Sequence, residues 1–215
     1  MADASQPEMQ FATLAQQEQV ARLGMWVFLS TEVLFFGGLF LSYAVYRGAY
    51  PEGFAAAARH TDIVIGTVNT AILLTSSFLV AWGADSIKHA DGRFGGALLT
   101  GAAFLGLLFL GLKAVEYSQE YREHLIPGLD FAFAGPQFDA ALLFFTFYFV
   151  VTILHAIHLT IGIAALVIVA RRGARGRYGA SHPGPVTGTA LYWHFVDLVW
   201  IFLFAMIYLP GRSGA

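Results

Sequence analysis

The sequence contains no cysteine. That removes disulfides, thiolate catalysis, iron–sulfur clusters and Cys-ligated zinc, and leaves the redox compartment undecided. Charge is scarce as well. Asp, Glu, Lys and Arg make up 12% of the 215 residues, where a soluble protein carries about a quarter. So few charges cannot clothe a water-soluble domain of this size, which argues against an ordinary soluble enzyme. With 57% hydrophobic residues the chain is not disordered either. A net charge of −2 supplies no basic field, so nucleic acid is not an expected partner. What remains, at a mean hydropathy of +0.64, is an integral membrane protein built as a single membrane domain over residues 1–215.

A spanning helix needs about 20 mainly apolar residues, and five stretches qualify: 23–46, 63–83, 94–117, 138–170 and 188–209. None alternates as a membrane strand would, so the expected fold class is an all-α bundle of five transmembrane helices. The fourth stretch is longer than a bilayer requires and should tilt or project. The connections hold the breakers: Pro51 and Gly53, Asp91-Gly92, Pro127-Gly128 with Gly135-Pro136, and the run from Arg171 to Thr187. No internal repeat suggests a transporter built from duplicated halves. Residues 1–22 are acidic, without a basic start or small-residue cleavage site, and do not read as a signal peptide. Ser5-Gln6-Pro7-Glu8 reads as a capping box with Phe11, Leu14 and Ala15 following at helical spacing, the pattern of a short interfacial helix.

Loop charges suggest orientation. Arg22, Lys88, Arg93, Arg171, Arg172, Arg175 and Arg177 fall on one side, and Arg47, Arg59, Arg122 and Arg212 on the other. The first side should be cytoplasmic, which puts the N-terminus inside and the C-terminus outside.

A charge at the bilayer centre costs at least ~2.5–3.5 kcal/mol, so polar residues inside the spans stand out. Glu32 lies about 14 Å into the first stretch at the helical rise, bracketed by Phe28, Phe35 and Phe36. It reads as a proton-linked carboxyl or as a neutral acid bonded across a helix interface. His155 and His158 share one face of the fourth stretch with Tyr148, Thr152 and Gly162. One helix cannot supply both axial ligands of a haem, and the Glu-x-x-His pairs of a di-iron bundle are missing. Interhelical hydrogen bonding is the simpler reading, and no metal site is expected. His194 and Asp197 are three apart and could touch within their helix, as a relay or as a clamp to the fourth stretch. Lys113 and Glu116 could pair, with Lys113 snorkelling outward. Asn69 and Thr70 sit in the second stretch. Ala97, Gly101, Ala102 and Gly106 would let the third helix approach a neighbour closely. The run Phe144-Phe145-Thr146-Phe147-Tyr148-Phe149 reads as packing or lipid contact.

Five segments carry a resemblance. Residues 192–200, Tyr-Trp-His-Phe-Val-Asp-Leu-Val-Trp, look like the C-terminal signature of subunit III of haem–copper oxidases, cytochrome c oxidase in particular. Residues 28–36 around Glu32 resemble that family's glutamate-bearing helix, and residues 69–77 its next helix. Glu116-Tyr117 resembles the end of the following one, and His155-Ala156-Ile157-His158 with Ile161-Gly162 the paired-histidine helix. They come in the family's order from about Leu23 to Leu209.

The resemblance implies a non-catalytic subunit of a proton-pumping terminal oxidase, with no redox centre of its own. Haem and copper would lie in partner subunits I and II. The chain would pack directly on subunit I, hold phospholipid and support sustained proton uptake, with other respiratory complexes as further partners. Bacterial-type inner membrane is the implied location. Glu32 matches the family's carbodiimide-reactive glutamate, and Glu116, His155, His158, His194 and Asp197 fall on its motifs. Arg171, Arg172 and His182 become candidates for lipid headgroups. There are two departures. Longer members have seven helices, and the segments here correspond to their last five, leaving the family's lipid cleft open or closed by a neighbour. Many members also carry an acid where Thr187 stands. The related quinol oxidases and a nitric oxide reductase-associated branch look alike in the fourth and fifth helices, and Lys113 fits the latter. A stand-alone transporter is the rival of a different class.

Overall fold

The computed structural model describes residues 13–89, 91–129, 131–134, 136–178, 184–210 and 212. The capping box and Phe11 therefore lie outside the described residues. Among the described residues six helices run in order: α1 Leu14–Ala49, α2 Pro51–Ala58, α3 Ile63–Lys88, α4 Gly92–Arg122, α5 Phe138–Ala174 and α6 Gly184–Ile207. All but α2 are long and apolar enough to cross a membrane. The chain is an all-α, multi-pass membrane protein. The start of α1, the α3–α4 turn and the α5–α6 connection share one side, the N-terminal side. α2, the α4–α5 connection and the end of α6 share the other.

The helices overrun the apolar stretches because polar residues of good helical propensity extend them. Gln16, Gln17, Glu18 and Arg22 continue α1 upstream without a break. The described part of the segment read as interfacial is therefore continuous with the first span. α1 begins where the Thr13 side chain accepts a hydrogen bond from the Gln16 amide. At 36 residues it is about 54 Å long at the helical rise. Glu32 sits near its midpoint. α3 is capped by Asp62, which accepts from the amides of Val64 and Ile65, and α4 by Asp91, which accepts from Phe94. The Pro51–Gly53 punctuation starts a helix instead of a loop. Proline is preorganised for the first helical position, and Ala55–Ala58 propagate the turn.

α4 packs between α3 and α5, α6 packs on α3 and α5, and α1 leans on α6 from outside. Most of α1 stays exposed to the surroundings, including Leu23, Trp26, Leu34 and Leu41. Phe144, Phe145 and Tyr148 are buried packing residues, as the aromatic run suggests. Small residues set the closest approaches, but not all of those expected. Ala97 is exposed and Gly101 makes only ordinary contact with Leu79. Gly106 packs tightly against Trp193 and Ile163 and Ala102 is fully buried, as expected, and further tight contacts on α4 lie at Gly92, Gly95 and Gly96. A Cβ on Gly95 would lie 2.6 Å from the Gly83 carbonyl oxygen of α3. A methyl group there must push two backbones apart. Gly95→Ala should lower stability in detergent by about 1–3 kcal/mol. Gly24→Ala, at a position with open space, should be neutral or gain up to ~1 kcal/mol from helix propensity. Thermal unfolding of the two variants checks both.

Candidate functional site: two buried ionic clusters

Three helices converge on Lys113. Its ammonium donates to Glu116 Oε2 at 2.9 Å, to the Tyr148 hydroxyl of α5 at 2.9 Å and to the Tyr208 hydroxyl beyond α6 at 3.0 Å. The two phenols in turn donate to Glu116 Oε1, at 3.1 Å and 2.6 Å. Every partner is buried, and Lys113 is only 4% exposed. The expected pairing of Lys113 with Glu116 is present, but the expected outward snorkelling is not. The ammonium points inward because two phenolic oxygens and a carboxylate complete its shell there, a better exchange than a distant headgroup region. Tyr117 extends the cluster with a 2.5 Å bond to Thr152. Glu120, one turn below Glu116, is buried without a hydrogen-bond partner.

The second cluster joins α1 to α5 at mid-depth. His158 Nε2 lies 3.1 Å from Glu32 Oε2, with the two side chains 16% and 18% exposed. His158 Nδ1 is 2.8 Å from the Leu154 carbonyl oxygen. A carbonyl only accepts, so Nδ1 carries a hydrogen. Nε2 then either accepts from a protonated Glu32 or, charged, donates to its carboxylate. Both forms place one proton between the two residues and leave the pair electrically neutral. Phe36 packs edge-on against the imidazole at 5.2 Å, and the Tyr192 hydroxyl donates to the His158 carbonyl oxygen at 3.1 Å.

His155 and His158 do not act together. His155 turns to the bundle centre, where its ring lies 5.6 Å from Phe109 and 5.2 Å from Trp200, and neither nitrogen has a partner. Three residues along a helix leave two side chains about 60° apart, enough to send them to different neighbours. The expected contact between His194 and Asp197 is likewise not made. His194 Nδ1 bonds Ser77 of α3 at 2.6 Å, so the clamp runs to α3 and not to α5. Asp197 is buried and unpartnered. Among the described residues no three His, Asp or Glu side chains cluster so as to hold a metal ion.

A cavity of about 910 Å³ opens on the N-terminal side between α1, α3 and the start of α6. Arg22, Lys88 and Arg177 line it beside Met25 and Leu191, with Glu18 as its carboxylate. No ion pair among the described residues uses these three cations. Of the side chains expected to meet headgroups, Arg171 and Arg172 are exposed at the end of α5, and Arg172 reaches Tyr178 at 3.4 Å. Neither lines the cavity, and His182 lies outside the described residues. Sequence reasoning missed Tyr208, Glu120 and Ser77. The spacing Lys113–Glu116–Glu120 was the available signal for the first cluster.

The fold and these sites define a class: a multi-pass membrane protein whose ionisable side chains inside the spans meet one another across helices. Residues 9–212 match the family model of cytochrome c oxidase subunit III, and the chain belongs to that family. It is 35% identical over 195 residues to the cytochrome c oxidase subunit 3 of Thermostichus vulcanus, covering 88% of this chain and 87% of that protein. The Synechocystis protein of the same name is 32% identical over 187 residues, covering 86% and 74%. That of Xenopus laevis is 31% identical over 201 residues, covering 88% and 69%. Membership implies a complex with other oxidase subunits.

The Lys113 cluster makes a sharp energetic test. Lys113→Met leaves the Glu116 carboxylate buried without its cation, and should cost about 3–5 kcal/mol. The double variant Lys113→Met with Glu116→Gln removes both charges and should recover most of that loss. Thermal denaturation of the two variants in detergent measures the difference.

Proposed function

We propose that this chain is the non-catalytic third subunit of a proton-pumping terminal oxidase, a cytochrome c oxidase. It packs on subunit I, holds lipid and sustains proton uptake during oxygen reduction. The observation that carries this reading is the Glu32–His158 pair. It is a hydrogen-bonded acid–imidazole contact between α1 and α5, near the middle of both helices and part-exposed. A group so placed can set the electrostatics of an adjoining subunit without carrying redox chemistry. Haem and copper, which supply the oxygen chemistry, belong in this reading to the neighbouring subunits.

The lipid-holding role is supported by the cavity on the N-terminal side. Three cations that pair with no carboxylate among the described residues stand beside apolar Met25 and Leu191, the chemistry of an anionic headgroup over an acyl chain. The Arg171–Arg177 run and the cations of the cavity support a cytoplasmic location for that side. With five crossings the C-terminus then lies outside, and the membrane is the inner membrane of a bacterial-type cell.

Glu32→Gln tests the reading in the assembled oxidase. The amide keeps a hydrogen bond to His158 but cannot share a proton with it. Haem content and the initial rate of oxygen reduction should match the parent, while the number of turnovers before inactivation, or the protons pumped per electron, falls several-fold. Immediate loss of oxygen reduction would contradict a supporting role. Unchanged pumping and unchanged endurance would make Glu32 purely structural.

A further inference from the structure

Two indoles pin the seam between α3 and α6, in addition to the Ser77–His194 bond. The Trp200 indole donates to Thr70 Oγ1 at 3.1 Å, and the Trp193 indole donates to Ser76 Oγ at 3.1 Å. The helices are antiparallel, so these pins set a register in which Asp197 stands opposite Leu73, between them. Asp197 is 4% exposed, and neither of its carboxyl oxygens has a hydrogen-bond partner. One turn away on the facing helix, Asn69 is fully buried with both amide atoms equally unpartnered. The Ser77 hydroxyl is close enough to the Asp197 carboxyl to interact with it, but its short bond is to His194 Nδ1, which leaves the carboxyl short of partners. Buried polar groups are rarely left without partners, and ordered water is the usual one where protein supplies none.

Helical spacing connects this site to the basic cavity. On α6, Thr187 and Leu191 line the basic cavity, and His194 follows on the same stripe at helical spacing. On α3, Lys88 lines the cavity, and Ser77 lies three turns back along the stripe that runs through Ala84 and Ala81. The two stripes meet where His194 and Ser77 bond, both part-buried, about 16 Å in from Lys88 at the helical rise.

We propose that Asp197 holds ordered water between α3 and α6, at the inner end of a polar groove that leads past His194 and Ser77 to the basic cavity. The water donates to the Asp197 carboxyl and reaches the Asn69 amide. It hydrates the bundle centre beside Trp193 and Trp200 while Phe144 and Phe145, in the opposite half of the bundle, stay dry. This site is independent of the Glu32–His158 pair and of the lipid role.

X-ray radiolysis of the assembled oxidase, read by mass spectrometry, tests it, because hydroxyl radicals form from bound water and oxidise the side chains next to it. Corrected for intrinsic reactivity, Trp193 and Trp200 should oxidise several-fold faster than Phe144 and Phe145, although all four are buried. Asp197→Asn should keep that rate, since an amide also binds water. Asp197→Val should lower it several-fold, and Ser77→Val, which blocks the groove and leaves the carboxyl in place, should lower it too. If Asp197→Val does not assemble, Ser77→Val decides. Trp193 and Trp200 as slow as the two phenylalanines in the parent would overturn the proposal. So would an undiminished rate in whichever valine variant assembles.

Discussion

Lipid offers no partner to a charge, and the arrangement of this bundle follows from that constraint. The Lys113–Glu116 pair shows it most directly. An isolated ammonium or carboxylate in hydrocarbon is prohibitively costly, so each is completed by the other and by phenols from two further elements. The same contacts therefore neutralise the charge and tie α4, α5 and the end of α6 together. At mid-depth the Glu32–His158 pair does this for α1, which has little other burial to hold it. Arg212 applies the rule at the C-terminal end, where its guanidinium donates to the backbone carbonyls of Arg59 and Thr61 and fastens the α2–α3 turn.

Small residues and polar clusters divide the work between them. Gly92, Gly95 and Gly96 bring helix backbones close enough for dispersion to act, and fix α3 and α5 against α4. Those contacts are strong but carry no address. The hydrogen-bonded pins, Trp193 to Ser76 and Trp200 to Thr70, set register, because a slip of one residue would leave an indole N–H unpaired in the interior. Membership of the subunit III family fits this division.

Much of this was legible from the amino-acid order. The five spans follow from apolar runs alone, and Glu32, His158 and Glu116 stand out because charge in lipid is expensive. What escaped has identifiable causes. The extent of α1 was hidden because Gln16, Glu18 and Arg22 are polar, and hydropathy does not see helix propensity. α2 was hidden because Pro51 reads as a breaker when it is an opener. The direction of Lys113 depends on Tyr148 and Tyr208, which are 35 and 95 residues away, and no local pattern brings them together. The shared stripe of His155 and His158 suggested joint action, yet a 60° offset sends one inward and the other to α1.

The central claim is that this chain works as a supporting wall within a redox complex. Affinity purification of the tagged chain from its native membrane in mild detergent, followed by subunit identification and haem and copper analysis, tests it most directly. The account predicts co-purification with a haem- and copper-bearing oxidase subunit. Recovery of an isolated homo-oligomer, free of redox subunits and active in transport when placed in liposomes, would contradict it.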